Sequence, residues 1–368
     1  MKTLSKIDFY FFANILFVLV FLFIPSQNFS QTQKIEKFLD GVKITDIKND
    51  AKDIWVSTEG NGIFRYIFWK KKWINFSTSN RRLKQNFFYC IETSPRYIWA
   101  GSANGLYIYD KKRYKWKKKT FSKGGQYGNW IRALEYDKKN KTLWIGRFKF
   151  LSKYNLRRRK YYDYNLTVDN NDKTNSIKSL YLDGDSLLWI GTEAGLHKFN
   201  MKGNLKKKSG LSFFDNNNDF FNNEGEQVSI SSMLTEQNNI WYGTNEFVTN
   251  DNPEFNVGGL YKFNREIDWT KFDEHNGLPG NGILDLELAG NYIWVAVYKF
   301  NPEKKFEIGK GIAIINRVSN SIILVKESEI PNNVNALHFD GTNMWVGTNN
   351  GIFKIPLSNI IVADFNKK

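Results

Sequence analysis

The chain has 368 residues, of which 41% are hydrophobic and 16% aromatic, with only 7 prolines and a formal net charge of +16. This composition excludes a long disordered chain and provides enough apolar mass for a large core. The single cysteine, Cys90, excludes an intrachain disulfide, so the fold must be stable through packing alone. Because Cys90 lies in the apolar segment FFYCI, we interpret it as a buried structural thiol.

The first 30 residues form a segment of their own. Lys2 and Lys6 precede an uncharged apolar run at 9–24, and small or polar residues follow from Pro25 to Ser30. This order is typical of a secretory signal peptide, and the run is shorter than the roughly 20 residues that a membrane-spanning helix needs. We therefore expect residues 1–30 to be a signal peptide and 31–368 to be an exported domain, periplasmic or extracellular. An uncleaved N-terminal membrane anchor is the alternative.

One strand–turn–strand signature centred on a tryptophan recurs seven times. A typical copy is LWIGTEAGLHKFN (188–200), and the spacing between copies is 44 to 53 residues. A period near 40–50 residues is typical of one four-stranded propeller blade. The pattern predicts an all-β chain folded as a seven-bladed β-propeller of four-stranded antiparallel blades. The tryptophans are Trp55, Trp99, Trp144, Trp189, Trp241, Trp294 and Trp345.

Two further strands complete each predicted blade. An apolar inner strand comes before the signature, preceded in five blades by an asparagine, and a polar outer strand such as 113–121 comes after it. Lysines on the outer strand would protect an exposed sheet edge. We interpret the tryptophans as packing between blades and the asparagines as bonding to backbone at loop ends. For the outer strand of the last blade we expect the C-terminal segment 359–365, with the N-terminal segment 33–39 as its competitor.

The signature, together with the preceding SIKSLYLDGDSL, resembles the two-component regulator propeller repeat, and the resemblance covers residues from about 38 to 356. In that family the propellers form the exported sensor part of hybrid histidine kinases and take part in recognising carbohydrates or other ligands. Stand-alone secreted members also occur. The resemblance therefore implies a propeller with a binding role, and we expect no kinase activity in this chain.

Three insertions interrupt the regular spacing: 211–227 between blades four and five, 245–258 in blade five and 298–310 in blade six. Loops of these kinds emerge on one face, which the loop 124–130 shares. Long loops on a rigid scaffold often bind ligands, and aromatic rings among amides suit sugars or extended peptides; the alternative is that the rings pack the loops onto the propeller. The candidate ligand-binding residues are Tyr127, Trp130, Phe220, Phe247, Phe255, Tyr298, Phe300 and Phe306.

The charge is unevenly distributed, with +23 in residues 31–210 and −8 in residues 211–368. The basic clusters lie on or beside predicted outer strands. Such a rim would attract an anionic polysaccharide, lipopolysaccharide or a membrane surface, whereas nucleic acid is not expected for an exported protein. The alternative is a solvated rim that only protects sheet edges. The candidate residues for an anionic surface are Lys117, Lys118, Lys119, Arg158 and Arg159.

The histidines give little support to catalysis. His197, His275 and His338 fall in three different blades, and no metal-binding spacing or G-x-S-x-G nucleophile motif occurs. We expect no catalytic residue, metal or cofactor. The preferred function is a monomeric ligand-binding or sensor-type module for an extracellular glycan, peptide or envelope protein. A surface scaffold for protein–protein interaction is the alternative, and a propeller lyase or hydrolase is less favoured.

Overall fold

The computed structural model describes residues 34–50, 53–216, 220–236, 238–266, 268–325 and 330–357. The predicted signal peptide, 1–30, and the C-terminal segment 359–365 lie outside these ranges. Within them the strands form seven antiparallel sheets of four strands each, which confirms the predicted seven-bladed β-propeller. No helix in the same ranges is both long and apolar enough to cross a membrane.

The strands are numbered in chain order, and each blade is one sheet. The first strand, β1, is Glu36–Phe38. Blade one contains β2 (Ile44–Asn49), β3 (Asp53–Thr58), β4 (Ile63–Ile67) and β5 (Lys72–Phe76). Blade two contains β6 (Cys90–Thr93), β7 (Tyr97–Ser102), β8 (Gly105–Asp110) and β9 (Lys115–Lys119). Blade three contains β10 (Ile131–Asp137), β11 (Thr142–Arg147), β12 (Leu151–Asn155) and β13 (Lys160–Tyr164).

Blades four to seven follow the same plan. Blade four contains β14 (Ile177–Asp183), β15 (Leu187–Thr192), β16 (Gly195–Asn204) and β17 (Ser209–Phe214). Blade five contains β18 (Ile230–Thr235), β19 (Ile240–Phe247), β20 (Asn256–Phe263) and β21 (Trp269–Phe272). Blade six contains β22 (Gly282–Ala289), β23 (Tyr292–Asn301), β24 (Phe306–Asn316) and β25 (Ile322–Leu324). Blade seven contains β26 (Val334–Phe339), β27 (Asn343–Thr348), β28 (Gly351–Pro356) and β1. The short 3₁₀ turns are Phe68–Lys70, Gly125–Tyr127, Asp172–Asn175, Leu205–Lys207, Phe220–Asn223 and Glu274–Asn276.

The first strand of each blade lines a central channel, because it contacts the first strands of both neighbouring blades around the whole ring. All seven inner strands run in the same direction. The hairpins between second and third strands and the loops between blades therefore share one face, here called the upper face. The turns joining first to second and third to fourth strands share the opposite, lower face.

The ring is closed by the N-terminal strand, so the expectation that segment 359–365 completes the last blade is wrong. Strand β1 pairs antiparallel with β28, and Phe38 lies opposite Ile352. The ring of Phe38 lies 5.5 Å from that of Tyr66, 5.9 Å from Trp73 and 6.1 Å from Trp345. These contacts join blade seven to blade one and stabilise β1 in the position of the closing strand. Strand propensity, on which the prediction relied, does not reveal them.

The recurring signature is explained by packing between blades. All seven signature tryptophans are at most 3% exposed, and the ring of Trp55, for example, lies 5.6 Å from that of Tyr109 in the next blade. In five blades the hydroxyl three residues after the signature tryptophan donates to the carbonyl oxygen of the hairpin glycine, as Thr192 Oγ1 does to Gly195 at 2.8 Å. The predicted packing role of the tryptophans is confirmed.

The loop asparagines also behave as predicted. The side-chain oxygens of four of them accept hydrogen bonds from backbone N–H groups at 2.6–3.0 Å; these are Asn86, Asn129, Asn175 and Asn281. The backbone carbonyl of Asn281 in turn accepts the N–H of Gly259, the hairpin glycine of the preceding blade, at 2.7 Å. The asparagines thus fix the loops between blades and help to join adjacent blades.

Candidate functional site

Seven side chains, one from each blade, surround the upper mouth of the channel. In six blades the residue lies at a shift of strand register, as between Ile131 and Ala133. Such β-bulges turn a side chain away from the regular alternation and are common beside functional sites. Six of the seven line a channel cavity of about 340 Å³. This mouth ring consists of Thr45, Tyr89, Arg132, Lys178, Ser231, Leu284 and Asn335.

Two members of the mouth ring are cations held by hydrogen bonds. Arg132 donates from Nε to the carbonyl of Ile177 at 2.9 Å, and its guanidinium also bonds to Ser176 Oγ at 2.8 Å and Glu193 Oε1 at 2.6 Å. Lys178 donates to Ser229 Oγ at 3.1 Å. Burial, reinforced by the charge of Arg132, lowers the pKa of Lys178 to about 8. The mouth therefore offers one fixed cation and one amine with a pKa of about 8.

An aromatic shelf adjoins Arg132 on the upper face. Trp130 stacks parallel to Phe148, with ring centroids 5.1 Å apart, and Arg132 lies 5.0 Å from the Phe148 ring. Tyr127 lies 5.2 Å from Phe148 and is 46% exposed. Tyr89 of the mouth ring lies 5.5 Å from Trp130. Tyr89, Tyr127, Trp130 and Phe148 thus form a continuous aromatic surface that leads to the channel.

The shelf exists because blade three departs from the repeat. Arg147 replaces the usual threonine, and Phe150, with φ of 81°, replaces the hairpin glycine. The side chain of Arg147 is completely buried and donates to the carbonyls of Lys123 and Gly128 at 2.9 and 2.6 Å, and to Asp163 at 3.0 Å. Arg147 therefore fixes the loop that presents Tyr127 and Trp130.

Two long hairpins form a cleft on the other side of the mouth. The Tyr298 hydroxyl in β23 bonds to both the N–H and the carbonyl of Glu246 in β19, each at 3.0 Å. Tyr298 and Phe300 are 1% and 5% exposed, so these two predicted residues join the hairpins. Phe247 and Phe306 are 44% and 47% exposed and line a cleft of about 410 Å³ that reaches Leu284 and Asn335 of the mouth ring.

The three insertions lie in one sector, as expected. Insertion 211–227 contacts insertion 245–258 where the N–H of Gln227 donates to the carbonyl of Phe255 at 2.9 Å. The ring of Phe247 lies 4.7 Å from that of Phe300 in the third insertion. Phe255 lies beneath the ammonium of Lys173 at 4.6 Å. Phe220 instead packs against Phe214, 4.6 Å away, in the outer part of the blade four–blade five interface.

A second ring inside the channel escaped the sequence analysis. Its members are the inner-strand residues directly opposite the signature tryptophans, seven to nine positions before them, and five of the seven line the cavity. Counting back from each tryptophan would have found them. This channel ring consists of Lys48, Glu92, Glu135, Tyr181, Leu234, Glu287 and His338.

Burial raises the pKa of the channel carboxyl groups, because a charged carboxylate is poorly solvated there. The pKa values rise to about 8 for Glu135 and Glu287, about 7 for Glu92 and about 6 for the neighbouring Asp46. Burial alone would lower the pKa of Lys48, but the surrounding carboxylates outweigh it and the pKa rises. The channel interior thus holds a mixed set of protonated and ionised acids around one lysine.

The predicted basic residues lie apart from this site. Lys117, Lys118 and Lys119 are on outer strand β9, where the ammonium groups of Lys118 and Lys119 lie 5.8 Å from the Tyr107 ring and 5.1 Å from the Tyr161 ring. Arg158 and Arg159 are exposed in the turn between β12 and β13 on the lower face. Binding of these five residues to an anionic surface stays a prediction.

The histidines remain separate from one another. His197 is fully buried, with Nε2 2.8 Å from the carbonyl oxygen of Thr174. His275 has a side chain that is 93% exposed, with Nδ1 3.4 Å from Asp273. In the channel, burial and the charge of Lys48 lower the pKa of His338 to about 3. Across the described ranges, no group of three or more His, Cys, Asp or Glu side chains is arranged to hold a metal ion.

Comparison with protein-family models finds no match, and a search of curated proteins finds none either. Among solved structures, the chain is similar to the extracellular domain of BT4673, described as a hybrid two-component system from B. thetaiotaomicron. The identity is 17% and the TM-score 0.65, over 88% of this chain and 40% of that one. The extracellular domain of BT3049 from the same organism is 17% identical, with a TM-score of 0.63 over 87% of this chain and 41% of that one. This chain spans less than half the length of these two neighbours.

Virginiamycin B lyase from Staphylococcus aureus is also similar, with 13% identity and a TM-score of 0.65 over 88% of this chain and 99% of the lyase. At such identities the likeness shows the fold alone. The same architecture thus occurs in extracellular domains of two-component systems and in an enzyme, and this chain is a seven-bladed propeller of that general kind.

Proposed function

We propose that this protein is an exported, ligand-binding propeller of the sensor type, which recognises a carbohydrate or a similar extracellular compound at the upper mouth of its channel. The observation on which the proposal rests is that the aromatic shelf and the hairpin cleft both adjoin the mouth ring, the shelf through Tyr89 and the cleft through Leu284 and Asn335. Exposed rings stand at both sides of the mouth, with Tyr127 in blade three and Phe306 in blade six.

The chemistry of this surface suits a sugar. Aromatic faces pack against the C–H groups of a pyranose ring, and amides and cations bond to hydroxyl or acidic substituents. Asn335 and Asn349 lie beside the hairpin cleft, and Arg132 lies beside the shelf. Most of these groups are held by neighbouring side chains, so little conformational entropy is lost when a ligand binds.

The similarity to extracellular domains of two-component systems supports a sensor-type role. The similarity to a lyase raises the question of catalysis, but the three histidines lie in three blades and none stands beside the aromatic shelf. We therefore propose binding without catalysis. The ligand class and export are part of the proposal.

Screening the protein on a glycan array, followed by calorimetric titration of the best ligand, tests this function. Replacing Tyr127 by Ala or Phe306 by Ala should weaken binding about tenfold each, since an exposed ring at a binding site typically contributes more than about 1 kcal/mol. Trp69→Ala is the matched control, because Trp69 is 80% exposed on the lower face, and its binding constant should not change.

Equal loss of affinity in all three variants would contradict the proposed site. An array without any bound glycan, combined with recovery of one envelope protein in a pull-down, would instead favour the scaffold function. Loss of that protein partner in the Tyr127→Ala and Phe306→Ala variants would still place the interaction at the mouth.

A further inference from the structure

Four successive blades place cations on the turn between their third and fourth strands. These turns lie on the lower face, and the side chains are exposed. In the described ranges none of these exposed cations forms an ion pair with a carboxylate, whereas Arg265 and Arg317, in the equivalent turns of blades five and six, pair with Asp183 and Glu236 at 2.5 and 3.1 Å. The exposed cations are Lys70–Lys72, Lys112, Arg113, Lys115, Arg157–Lys160, Lys206 and Lys207, whereas Lys208 donates to the carbonyl of Thr167 in a loop of the upper face.

Large aromatic side chains are exposed among these cations. Trp69 is 80% exposed and Tyr114 is 75% exposed, and they occupy the turns of blades one and two. The ammonium of Lys70 lies 4.4 Å from the Trp69 ring. Between the two turns is a crevice of about 640 Å³ that Trp69, Lys70, Tyr114 and Lys115 help to line. Tryptophan and tyrosine beside lysine are typical of the membrane–water interface.

The N-terminal strand enters the propeller from this same face. Strand β1 is antiparallel to β28, which runs from the upper hairpin at Gly351 toward the lower face. Glu36, opposite Lys354, therefore lies nearer the lower face than Phe38 does, and β1 is next to blade one. The described chain consequently enters β1 from the lower side, and the sequence before Lys34 includes the uncharged run 9–24.

We propose that the lower face of blades one to four docks on an anionic phospholipid surface. The cations are spread over the tips of four turns, an arrangement that suits a flat layer of headgroups better than one chain in one groove. Trp69 and Tyr114 would insert at the level of the headgroups, and the crevice between them accommodates a phosphate group. The upper mouth then faces away from the membrane and stays open to ligand.

Docking of the lower face would affect the location of the protein whether residues 1–30 are cleaved or retained. If the segment is removed, the basic turns and the two aromatic residues hold the protein reversibly at the membrane. If it is retained, they act as a second determinant beside the anchor, and weak membrane affinity generally becomes stable when two such determinants combine. In both cases the orientation of the propeller is the same.

Sedimentation with vesicles measures the docking. Residues 34–357 contain all seven four-stranded sheets and the strand that closes the ring, so a chain of residues 31–368 keeps the fold and removes the apolar run from the experiment. We expect binding to mixed phosphatidylglycerol–phosphatidylcholine vesicles, none to pure phosphatidylcholine, and release between ~0.05 and ~0.5 M salt. The variant Lys70→Gln/Lys112→Gln/Arg158→Gln should bind roughly 100-fold more weakly.

The matched control is Arg81→Gln/Lys84→Gln/Lys304→Gln, which removes three exposed cations from loops of the upper face. Its vesicle affinity should change less than about threefold. Equal losses in the two triple variants would overturn the proposal, because net charge rather than the lower face would then decide binding. Binding to heparin that the variant Lys70→Gln/Lys112→Gln/Arg158→Gln abolishes, without binding of the parent chain to anionic vesicles, would overturn it in favour of a polysaccharide site.

A second measurement does not depend on removing charge. Trp69→Ala should reduce vesicle affinity about tenfold while leaving the thermal transition unchanged, because its ring is mostly exposed to solvent in the free protein. Unchanged affinity in Trp69→Ala would contradict insertion of this turn. Glycan binding at the upper mouth should remain the same in every one of these variants, so failure of docking and failure of the proposed function are distinguishable.

Discussion

Arg147 shows how one residue that departs from a repeat can create a local surface. In five other blades the equivalent hydroxyl only closes its own hairpin. The guanidinium of Arg147 instead reaches into the loop before blade three and is sandwiched between Phe121 and Phe150, 4.6 and 5.4 Å from their rings. A buried cation with three partners fixes both ends of that loop.

Replacing Arg147 by Met should lower the free energy of unfolding by about 3–5 kcal/mol, because the partners of a buried charge lose their hydrogen bonds. Urea unfolding measures the loss, and limited proteolysis should then cut within 123–130. Arg96→Met is the control: Arg96 pairs with Asp110 at 3.1 Å, but its side chain is 44% exposed, so the loss should be far smaller than that in Arg147→Met. Similar losses in both variants would refute the positioning role of Arg147.

At the scale of the elements, closure of the ring depends on a strand of three residues. Strand β1 covers the edge of β28, and Phe38 contacts rings of blades one and seven. Deleting residues 34–38 would expose that edge and separate the two ends of the ring. By contrast, every described sheet already has four strands without any residue after 357.

Removal of 34–38 should lower the melting temperature by on the order of 10 °C, whereas removal of 359–368 should change it by about 1 °C or less. Calorimetry of the two truncated chains gives the comparison. Phe38→Ala, which keeps the backbone pairing, should lose about 2 kcal/mol, since the half-buried ring leaves a cavity. A larger loss from the C-terminal truncation would show that the C-terminal segment also takes part in closure.

The repeat made the blades predictable, because seven copies of one pattern report the same packing. The channel ring was equally accessible, since antiparallel pairing across a short turn fixes which residue faces each tryptophan. The environments of the side chains on the long hairpins could not be predicted in this way. Tyr298 and Phe300 are buried because the hairpin of blade five packs against them through hydrogen bonds with Glu246, a contact between two hairpins that neither segment reveals by itself. Closure was ambiguous for another reason: both ends of the chain contain strand-like segments.

For the whole molecule, the channel acids should make stability depend on pH. The folded protein keeps protons on Glu92, Glu135 and Glu287 up to about pH 7–8, whereas an unfolded chain releases them near 4.5. Their contribution is therefore fully present at low pH and is lost as the pH rises through these values. His197 and His338 act in the opposite direction, because their lowered pKa values of about 4 and 3 cost stability below the ordinary 6.5.

Because three acids with raised pKa outweigh two histidines with lowered pKa, stability should begin to fall above about pH 4.5 and fall most steeply between pH 6.5 and 8, where only the acids are changing strongly. Lys48 does not alter this window, since its raised pKa contributes stability that is lost only above the ordinary value of 10.5. Lys178, with a pKa of about 8, regains stability as the pH rises further. The decline should therefore become less steep above pH 8.

Thermal unfolding at pH 6.5 and 8.5 tests this dependence, and we expect the melting temperature to be lower by roughly 5 °C at the higher pH. Glu135→Gln/Glu287→Gln removes two of the groups that take up protons on folding. Between pH 6.5 and 8.5 the melting temperature of this variant should change by less than half as much as that of the parent protein. Glu303→Gln, which alters an exposed carboxylate on a long hairpin, should retain the full difference. The change of stability with pH reflects only the protons that folding binds or releases. If the melting temperature of the double variant changed with pH as much as that of the parent protein, the channel carboxyl groups would not cause the change.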